Sequence, residues 1–162
     1  MDWQHRLLTT PKQVADLLKH VQRVAVLGMR TERYPYKPAF YVPAALLELG
    51  LEIVPVSIHD RTVTRILGQP VYYSLADIPG PIDLVDVFRR ASDIPAHLDD
   101  ILAKRPRAVW FQSGIRNDAA AEQLARAGIG VVQDRCLMMD YGRFLQRRHL
   151  RHDQGAATSS IG

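Results

Sequence analysis

The sequence contains little that would crosslink the chain or anchor it in a membrane. Its 162 residues include one cysteine, Cys136, so no disulfide can form within the chain, and a reducing compartment is favoured. No uninterrupted apolar run reaches the length of a membrane-spanning helix. The N-terminus also lacks the basic stretch and apolar core of a secretory signal. We therefore expect a cytoplasmic protein that does not bind membranes.

Motifs typical of enzymes and metal sites are missing as well. There is no Cys-x-x-Cys pair, so no structural zinc site is predicted, and no metal site is assigned elsewhere. Gln112-Ser113-Gly114 lacks the glycine that precedes the serine by two residues in a nucleophile elbow. Cys136 and His59 are the candidates for chemistry, and Cys136 is more simply a small buried hydrophobic residue. We assign no catalytic residue.

The charge of the chain is positive but modest. A formal net charge of +4 suits an anionic ligand. Nucleic-acid binders usually concentrate basic charge in a stripe or arm and carry a recognition motif. Here the charge is concentrated only in the C-terminal segment and no such motif accompanies it, so nucleic-acid binding is not predicted, and the sequence identifies no protein partner.

What the sequence does show is an alternation of helices and strands. Thr10 as N-cap, Pro11 and Gln13 predict a helix over about 10–21. Short apolar runs predict buried parallel strands at residues 23–27, 51–56, 71–73, 82–88, 108–112 and 130–132. Further helices are expected over 39–49, after an N-cap at Ser92, and over 117–127. The alternation predicts an α/β, three-layer fold, with a parallel sheet of five to six strands and helices on both faces.

The length suits one domain. We assign residues 1–144 to it and interpret 145–162 as a basic, flexible C-terminal tail. Trp110, Met138 and Met139 are expected in the core. Asp86 lies inside an apolar strand, where a carboxylate is costly unless it is hydrogen-bonded, and we favour a structural role for it.

Ligands of open α/β sheets bind outside the carboxyl ends of the strands. The residues that follow the expected strands here are polar, basic and marked by glycine: Gly28, Met29, Arg30, Ser57, His59, Arg89, Gln112 and Gly114. Cations outnumber carboxylates among the residues at this edge. Because clustered cations repel one another, their pattern favours an anionic ligand.

The type of anion is narrowed by two absences. The segment 28–33 keeps only the first glycine of the Gly-x-Gly-x-x-Gly fingerprint. The second strand ends in Val56-Ser57, without the acid that binds the ribose hydroxyls of NAD. Beyond it, His59, Arg61 and Arg65 offer donors for a ribose phosphate. The sequence therefore disfavours NAD.

Seven segments, taken in order, resemble the small single-domain CoA-binding proteins, which are related to the CoA-binding domain of the succinyl-CoA synthetase α subunit. The resemblance covers roughly residues 20–144. It rests on Val24–Gly28, Lys37–Pro43, Ile53–Val56, Ser74–Pro79, Asp86–Arg89, Val109–Asn117 and Asp134–Met138. It implies a Rossmann-like fold with coenzyme A in the crevice.

The resemblance also implies roles for individual residues. Gly28 and Arg30 would lie near the phosphates, Val56 and Ser57 near adenosine, Phe88 and Arg89 beside the pyrophosphate, and Gln112 and Gly114 across the crevice. Met29, Lys37 and Tyr41 complete the predicted cofactor-binding set. The family usually reads Val-Asn-Pro where this chain has Val56-Ser57-Ile58, a departure at the adenosine contacts.

The function implied is binding of coenzyme A, or of an acyl-CoA, through the ADP moiety and without catalysis by the chain itself. Two alternatives remain open. One is a redox sensor that binds a nicotinamide nucleotide. The other is a component of a CoA-dependent ligase or acyltransferase.

Overall fold

The central element is a five-stranded parallel sheet in a computed structural model that describes the backbone of residues 2–159 and the side chains of residues 2–153. The strands in chain order are β1 (Arg23–Leu27), β2 (Glu52–Val56), β3 (Arg65–Ile66), β4 (Gln69–Pro70), β5 (Leu84–Val87), β6 (Ala108–Phe111) and β7 (Gly130–Val132). The sheet has the order β2-β1-β5-β6-β7, and β3 and β4 form a separate antiparallel hairpin. The strand order changes direction between β1 and β5, where ligands of such sheets bind.

Helices cover both faces of the sheet. They are α1 (Pro11–Leu18), α2 (Pro38–Glu48), α3 (Leu98–Lys104), α4 (Asp118–Arg126) and α5 (Leu137–Ser159), with short 3-10 helices at Trp3–Arg6, Leu75–Asp77 and Ala91–His97. One core contains buried residues of α1, α2 and α5, and the other contains residues of α3 and α4. The predicted three-layer α/β fold is confirmed.

The register aligns the ends of the strands. Leu27 pairs with Val56 on one side and with Val87 on the other, and Val87 pairs with Phe111. The residues that follow these four strands therefore emerge side by side at one edge, which we call the carboxyl edge.

Specific hydrogen bonds mark the starts of α1 and α2. The Thr10 side chain accepts the Gln13 N–H, and the Gln13 side chain accepts the Thr10 N–H, which confirms the predicted cap. In α2, Pro43 has no N–H for the carbonyl of Ala39, four residues earlier. That carbonyl instead accepts the Arg30 backbone N–H at 3.1 Å. The carbonyl that Pro43 leaves without a helical partner thus attaches the loop after β1 to α2.

Two expectations about secondary structure are wrong. Residues 71–73 do not form a strand, since Tyr72 makes a single bridge to Val56; the chain has already turned through the β3–β4 hairpin, with Leu67 and Gly68 at φ 52° and 72°. Ser92 caps no α-helix. Residues 91–97 form a 3-10 helix, and the Ala91 carbonyl is bound by the Asn117 side chain at 2.9 Å, which ties this segment to the start of α4.

One further expectation fails along α5. Met139 is 50% exposed, because the buried face of this helix is formed by Leu137, Tyr141 and Phe144 at helical spacing. The helix continues to Ser159 and so runs past residue 144, and the division into a domain and a flexible tail stays a prediction. The part of the expected tail at 160–162 lies outside the described residues. Among the described helices, none is long and apolar enough to cross a membrane.

Candidate ligand site at the carboxyl edge

The turn after β1 brings two strand exits into close contact. Gly28 has φ +87°, and its N–H and that of Met29 both donate to the Val56 carbonyl, at 3.0 and 3.2 Å. A Cβ on Gly28 would lie 2.6 Å from the Phe88 carbonyl oxygen and 3.1 Å from Cδ of Arg89. Glycine is thus required both by its backbone conformation and by the lack of space.

One cavity lies over the exits of β1 and β2. This β1–β2 cavity has a volume of about 560 Å³ and is lined by Met29, Arg30, Thr31, Glu32, Arg33, Tyr34, Ser57, His59, Asp60, Thr62 and Val63. Both of its carboxylates are engaged by neighbouring donors. Glu32 accepts the Leu67 N–H, and Oδ1 of Asp60 accepts the Thr62 N–H and hydroxyl. The Ser57 hydroxyl donates to the Asp60 carbonyl at 2.8 Å.

Tyr34 holds two cations close together at the rim of this cavity. The Arg30 guanidinium lies 4.2 Å from the centre of the Tyr34 ring, and the Lys37 ammonium lies 4.9 Å from it. An aromatic face attracts cations and offsets part of their mutual repulsion. The two positive charges are therefore kept beside each other before any anion arrives.

A second cavity lies over the exits of β5 and β6, beside the first turn of α2. This β5–β6 cavity has a volume of about 520 Å³ and is lined by Lys37, Pro38, Ala39, Tyr41, Val42, Phe88, Arg89, Arg90, Ala91, Gln112, Ser113, Gly114, Ile115 and Cys136. Many of these residues are apolar. The N–H ends of α2 add partial positive charge to the side that holds Lys37.

Arg89 is oriented by two groups behind it. Its Nε donates to Nε2 of His97 at 3.2 Å, and its guanidinium lies 3.6 Å from the Asp93 carboxylate. Burial, followed by the charge of Arg89, lowers the pKa of His97. A neutral His97 is what this hydrogen bond requires, because Nε2 must accept the proton that Arg89 donates.

The connection from β7 to α5 forms the far wall of the β5–β6 cavity. Oδ1 of Asp134 accepts the Gly114 N–H at 2.6 Å, and the Arg135 carbonyl accepts Nε1 of Trp110 at 2.7 Å. Oε1 of Gln112 accepts the Leu137 N–H at 3.1 Å. These bonds fix the position of Cys136 between residues 135 and 137.

Positive charge converges between the two cavities. Burial is the largest cause of a lowered pKa of His59, and the charges of Arg30, Arg89 and Lys37 lower it further. His59 and Arg30 line the β1–β2 cavity, whereas Arg89 and Lys37 line the other. The two cavities therefore share one region of positive potential.

The structure places the predicted binding residues as follows. Met29, Arg30 and Ser57 line the β1–β2 cavity, and Lys37, Tyr41, Phe88, Arg89, Gln112 and Gly114 line the β5–β6 cavity. Gly28 and Val56 lie beneath them, where they shape the edge through backbone bonds. Their contacts with a ligand stay predictions.

Sequence reasoning missed or misplaced some residues. Of the donors expected beyond β2, His59 lines the β1–β2 cavity, but Arg61 lies over the Tyr73 ring and Arg65 bonds the Gly68 carbonyl. Arg33 and Tyr34, in the basic and aromatic loop after β1, also line this cavity. Tyr34 was not predicted as a site residue, and its position in this loop was the available signal for it.

Asp86 is fully buried, and neither carboxylate oxygen has a hydrogen-bond partner among the described residues. Burial raises the pKa of Asp86 well above its usual range. The expectation of a structural role is thus not supported by any hydrogen bond in this part of the chain.

A third cavity, of about 680 Å³, lies between α1 and α5 rather than over the strand exits. Its lining includes Lys12, Lys19, Arg143, Arg147, Arg148 and Arg151, and none of the predicted binding residues. No group of His, Cys, Asp or Glu within the described residues is arranged to hold a metal ion.

The fold and the carboxyl-edge cavities define the class of protein: a parallel α/β domain with a cationic ligand crevice at the point where its strand order reverses. Comparison with known proteins narrows this class. Residues 22–142 match the family model described as a CoA binding domain. The chain belongs to this family, as its motifs implied, and membership supports the binding of CoA.

The chain is also similar to individual proteins. The uncharacterized protein YneT of Bacillus subtilis is 32% identical over 125 residues, which span 77% of this chain and 89% of that protein. A Thermus thermophilus structure described as cell-free ID.343 is 38% identical, with a TM-score of 0.76 and coverage of 84% of this chain and 99% of that one.

More distant structures show the fold. A hypothetical protein from Pyrococcus horikoshii is 28% identical with a TM-score of 0.76, and covers 85% of this chain and 93% of its own. A dinucleotide-forming acetyl-coenzyme A synthetase from Ca. Korarchaeum cryptofilum is 16% identical, with a TM-score of 0.58. That match covers 72% of this chain and 27% of the synthetase, and it shows the fold alone.

Proposed function

We propose that this protein binds coenzyme A, free or acylated, across the carboxyl edge and without catalysis of its own. The ADP part occupies the β1–β2 cavity and the region of positive potential, and the pantetheine arm extends into the β5–β6 cavity. The observation that carries the proposal is the convergence of the cations Arg30, Lys37 and Arg89 where the two cavities meet, since Arg30 and Lys37 share the Tyr34 ring and Lys37 and Arg89 line one cavity. Like charges are costly to assemble unless an anion joins them.

The shape of the edge supports a long ligand with unlike ends. The lining of the β1–β2 cavity is largely polar and charged, whereas the β5–β6 cavity contains more apolar residues. Coenzyme A has a phosphorylated nucleotide at one end and a less polar arm at the other. Gly28 lets the exit of β1 lie directly against Phe88 and Arg89 at the exit of β5, which brings the two cavities next to each other.

The absence of catalysis is supported by the separation of the candidate groups. His59 lines the β1–β2 cavity and Cys136 lines the β5–β6 cavity. A nucleophile and its base need hydrogen-bond contact or one bridging water. The histidine behind the β5–β6 cavity, His97, already accepts a hydrogen bond from Arg89.

Asp60 favours the nicotinamide alternative, because a carboxylate beyond the second strand is where NAD ribose hydroxyls bind. However, Oδ1 of Asp60 already accepts two hydrogen bonds from Thr62. Three cations beside the same region also suit the 3′-phosphate of coenzyme A better than free hydroxyls. We therefore keep this alternative as an outcome of the test.

Calorimetric titration of CoA, dephospho-CoA, NAD and NADP in one buffer tests the proposal. A charge-assisted contact contributes ~1.5–3 kcal/mol, or roughly 10- to 100-fold in affinity. CoA should bind more tightly than dephospho-CoA, by no more than this factor, and NAD should bind more weakly than either. The differences in affinity should narrow as salt is added. Equal affinities for NAD and CoA would favour the redox-sensor alternative.

A further inference from the structure

The lining of the β5–β6 cavity includes a thiol that has no role in the proposed function. Cys136 lines it together with Gln112, Phe88 and Arg89, and is partly exposed. It is the only cysteine in the chain. The ligand proposed for this cavity also ends in a thiol.

A second observation points to a ligand in this cavity. Gln112 is 4% exposed, and its Oε1 accepts the Leu137 N–H. Its amide nitrogen donates to no atom of the described residues and is not fully enclosed by protein, so it is accessible from the cavity that Gln112 lines. Amide donors of buried side chains normally have partners. The pantetheine arm carries amide carbonyls that can accept from this nitrogen beside Cys136.

We propose that Cys136 is the site at which this protein becomes covalently modified by coenzyme A, through a mixed disulfide formed from CoA disulfide. This inference rests on the proposed function. The nucleotide end of one CoA unit binds at the cationic region, and its arm places the disulfide next to Cys136. Binding raises the local concentration of the disulfide at this thiol.

The chemistry is thiol–disulfide exchange. Cys136 gives its proton to solvent and the thiolate attacks one sulfur of the CoA disulfide. A new S–S bond joins Sγ of Cys136 to that sulfur, and the S–S bond of the CoA disulfide breaks. The released CoA thiolate takes up a proton from water. One disulfide is consumed and one is formed, so the CoA disulfide is the only oxidant required.

The start of α5 explains why the thiol of Cys136 lines the cavity while the side chains of the residues on either side do not. Cys136 precedes the first turn of α5, and its carbonyl accepts the Asp140 N–H at 3.1 Å. Arg135 on one side is turned away, because its Nε and Nη2 each donate to the Asp140 carboxylate at 2.7 Å. Its neighbours are thus fixed, and Cys136 remains directed to the cavity.

Intact-mass measurement of the reduced full-length protein tests the inference. CoA disulfide should add one CoA, less two hydrogens, to the wild type, and a reductant should remove it. Oxidised glutathione should react at least ~10-fold more slowly, because it lacks the nucleotide that a charge-assisted contact holds. Adenosine 3′,5′-bisphosphate should slow the first reaction and not the second.

A matched control moves the thiol out of the cavity. Met139 is 50% exposed on the outer face of α5. Met139→Cys in a Cys136→Ser background should react with both disulfides at similar rates, without an effect of the bisphosphate.

The outcomes separate this inference from the proposed function. If reduced CoA binds the wild type by calorimetry but CoA disulfide gives no adduct, the thiol inference is overturned and the proposed function stands. Equal rates with the two disulfides on wild-type protein overturn it as well. If CoA does not bind at all, the proposed function fails, and the inference fails with it.

Discussion

The two cavities of the carboxyl edge share a border but differ in their chemistry. The β1–β2 cavity is lined by Arg30, Arg33, Glu32 and Asp60, and its carboxylates are bound by donors from the surrounding loops. The β5–β6 cavity is lined by the cations Lys37, Arg89 and Arg90, by no carboxylate, and by apolar side chains such as Val42, Phe88 and Ile115. A ligand with an anionic nucleotide and a less polar arm would match this pairing of a polar cavity with a more apolar one.

Gly28 packs against Phe88 and Arg89 of the β5–β6 cavity and precedes Met29 of the β1–β2 cavity, so a change there should damage both and have the largest effect. Gly28→Ala adds a Cβ 2.6 Å from the Phe88 carbonyl oxygen, at φ +87°. Left-handed backbone costs a non-glycine residue ~1–2 kcal/mol, and overpacking adds typically 1–3 kcal/mol. Urea denaturation should show a loss near the sum of the two, and calorimetry should show weakened CoA binding.

The matched control is Gly50→Ala. Gly50 has φ +102°, but nothing lies within 4 Å of the added Cβ. This variant should lose only the backbone contribution. Equal losses of stability in the two variants would show that Phe88 yields and that the contact between the exits is not a constraint.

Arg89 tests whether the β5–β6 side contributes charge to binding. Arg89→Ala should weaken CoA binding by ~1.5–3 kcal/mol, roughly 10- to 100-fold, as measured by titration. Arg61→Ala removes the same charge from outside both cavities, where it lies 5.9 Å from the Tyr73 ring centre, and should change the affinity little. Unchanged affinity in a folded Arg89→Ala protein would confine ligand charge recognition to the β1–β2 cavity.

Replacing Asp86 tests whether strand β5 carries a buried negative charge. Burial raises its pKa, so the folded protein binds more protons than the unfolded chain above the usual pKa of an aspartic acid. Stability should then fall as pH rises from that value to the folded pKa. Asp86→Asn should abolish this slope and raise the free energy of unfolding at neutral pH, because the amide carries no charge to desolvate.

Denaturation across pH is the measurement, and Asp83→Asn is the contrasting variant. The Asp83 carboxylate accepts the Gln22 and Arg23 N–H groups at 3.0 and 2.8 Å, so its removal should destabilise the protein. If Asp86→Asn also destabilises it at neutral pH, the buried carboxylate has a role that the described contacts do not show.

Much of the sheet could be predicted because its strands are buried on both faces. The runs at residues 23–27 and 130–132 match β1 and β7 residue for residue, since a continuous apolar run is typical of such strands. The β3–β4 hairpin was missed because Leu67 adopts a positive φ, which leucine does not signal. The 3-10 helix at 91–97 depends on a distant partner, Asn117.

The location of the candidate site could be predicted from the sequence, but its division into two cavities could not. Parallel alternation brings all strand exits to one edge, which located Gly28, Ser57, Phe88 and Gln112 together. Which cavity each residue lines depends on contacts between distant segments. The bond from the Arg30 N–H to the Ala39 carbonyl and that from the Leu137 N–H to Gln112 are examples. No local pattern encodes such contacts.

The smallest expected effect is a pH dependence of binding that arises in the β1–β2 cavity. In the free protein, burial and the charges of Arg30, Arg89 and Lys37 lower the pKa of His59. A bound phosphate would neutralise those cations and favour imidazolium, so the pKa of His59 should rise in the complex. Binding then takes up a proton, and the affinity for CoA should increase as pH falls from the complexed pKa to the lowered free pKa.

The size of this rise sets the change in affinity across that window, about tenfold for each pKa unit. Calorimetry in buffers of different ionisation enthalpy measures the proton uptake directly, and His59→Gln should reduce it. His97 also has a lowered pKa, and Arg89 contributes to it, so uptake that persists in His59→Gln but disappears in His97→Gln would assign the proton to the β5–β6 side. That result would reverse the comparison, because the more apolar cavity would then contain the group that responds to the ligand's charge.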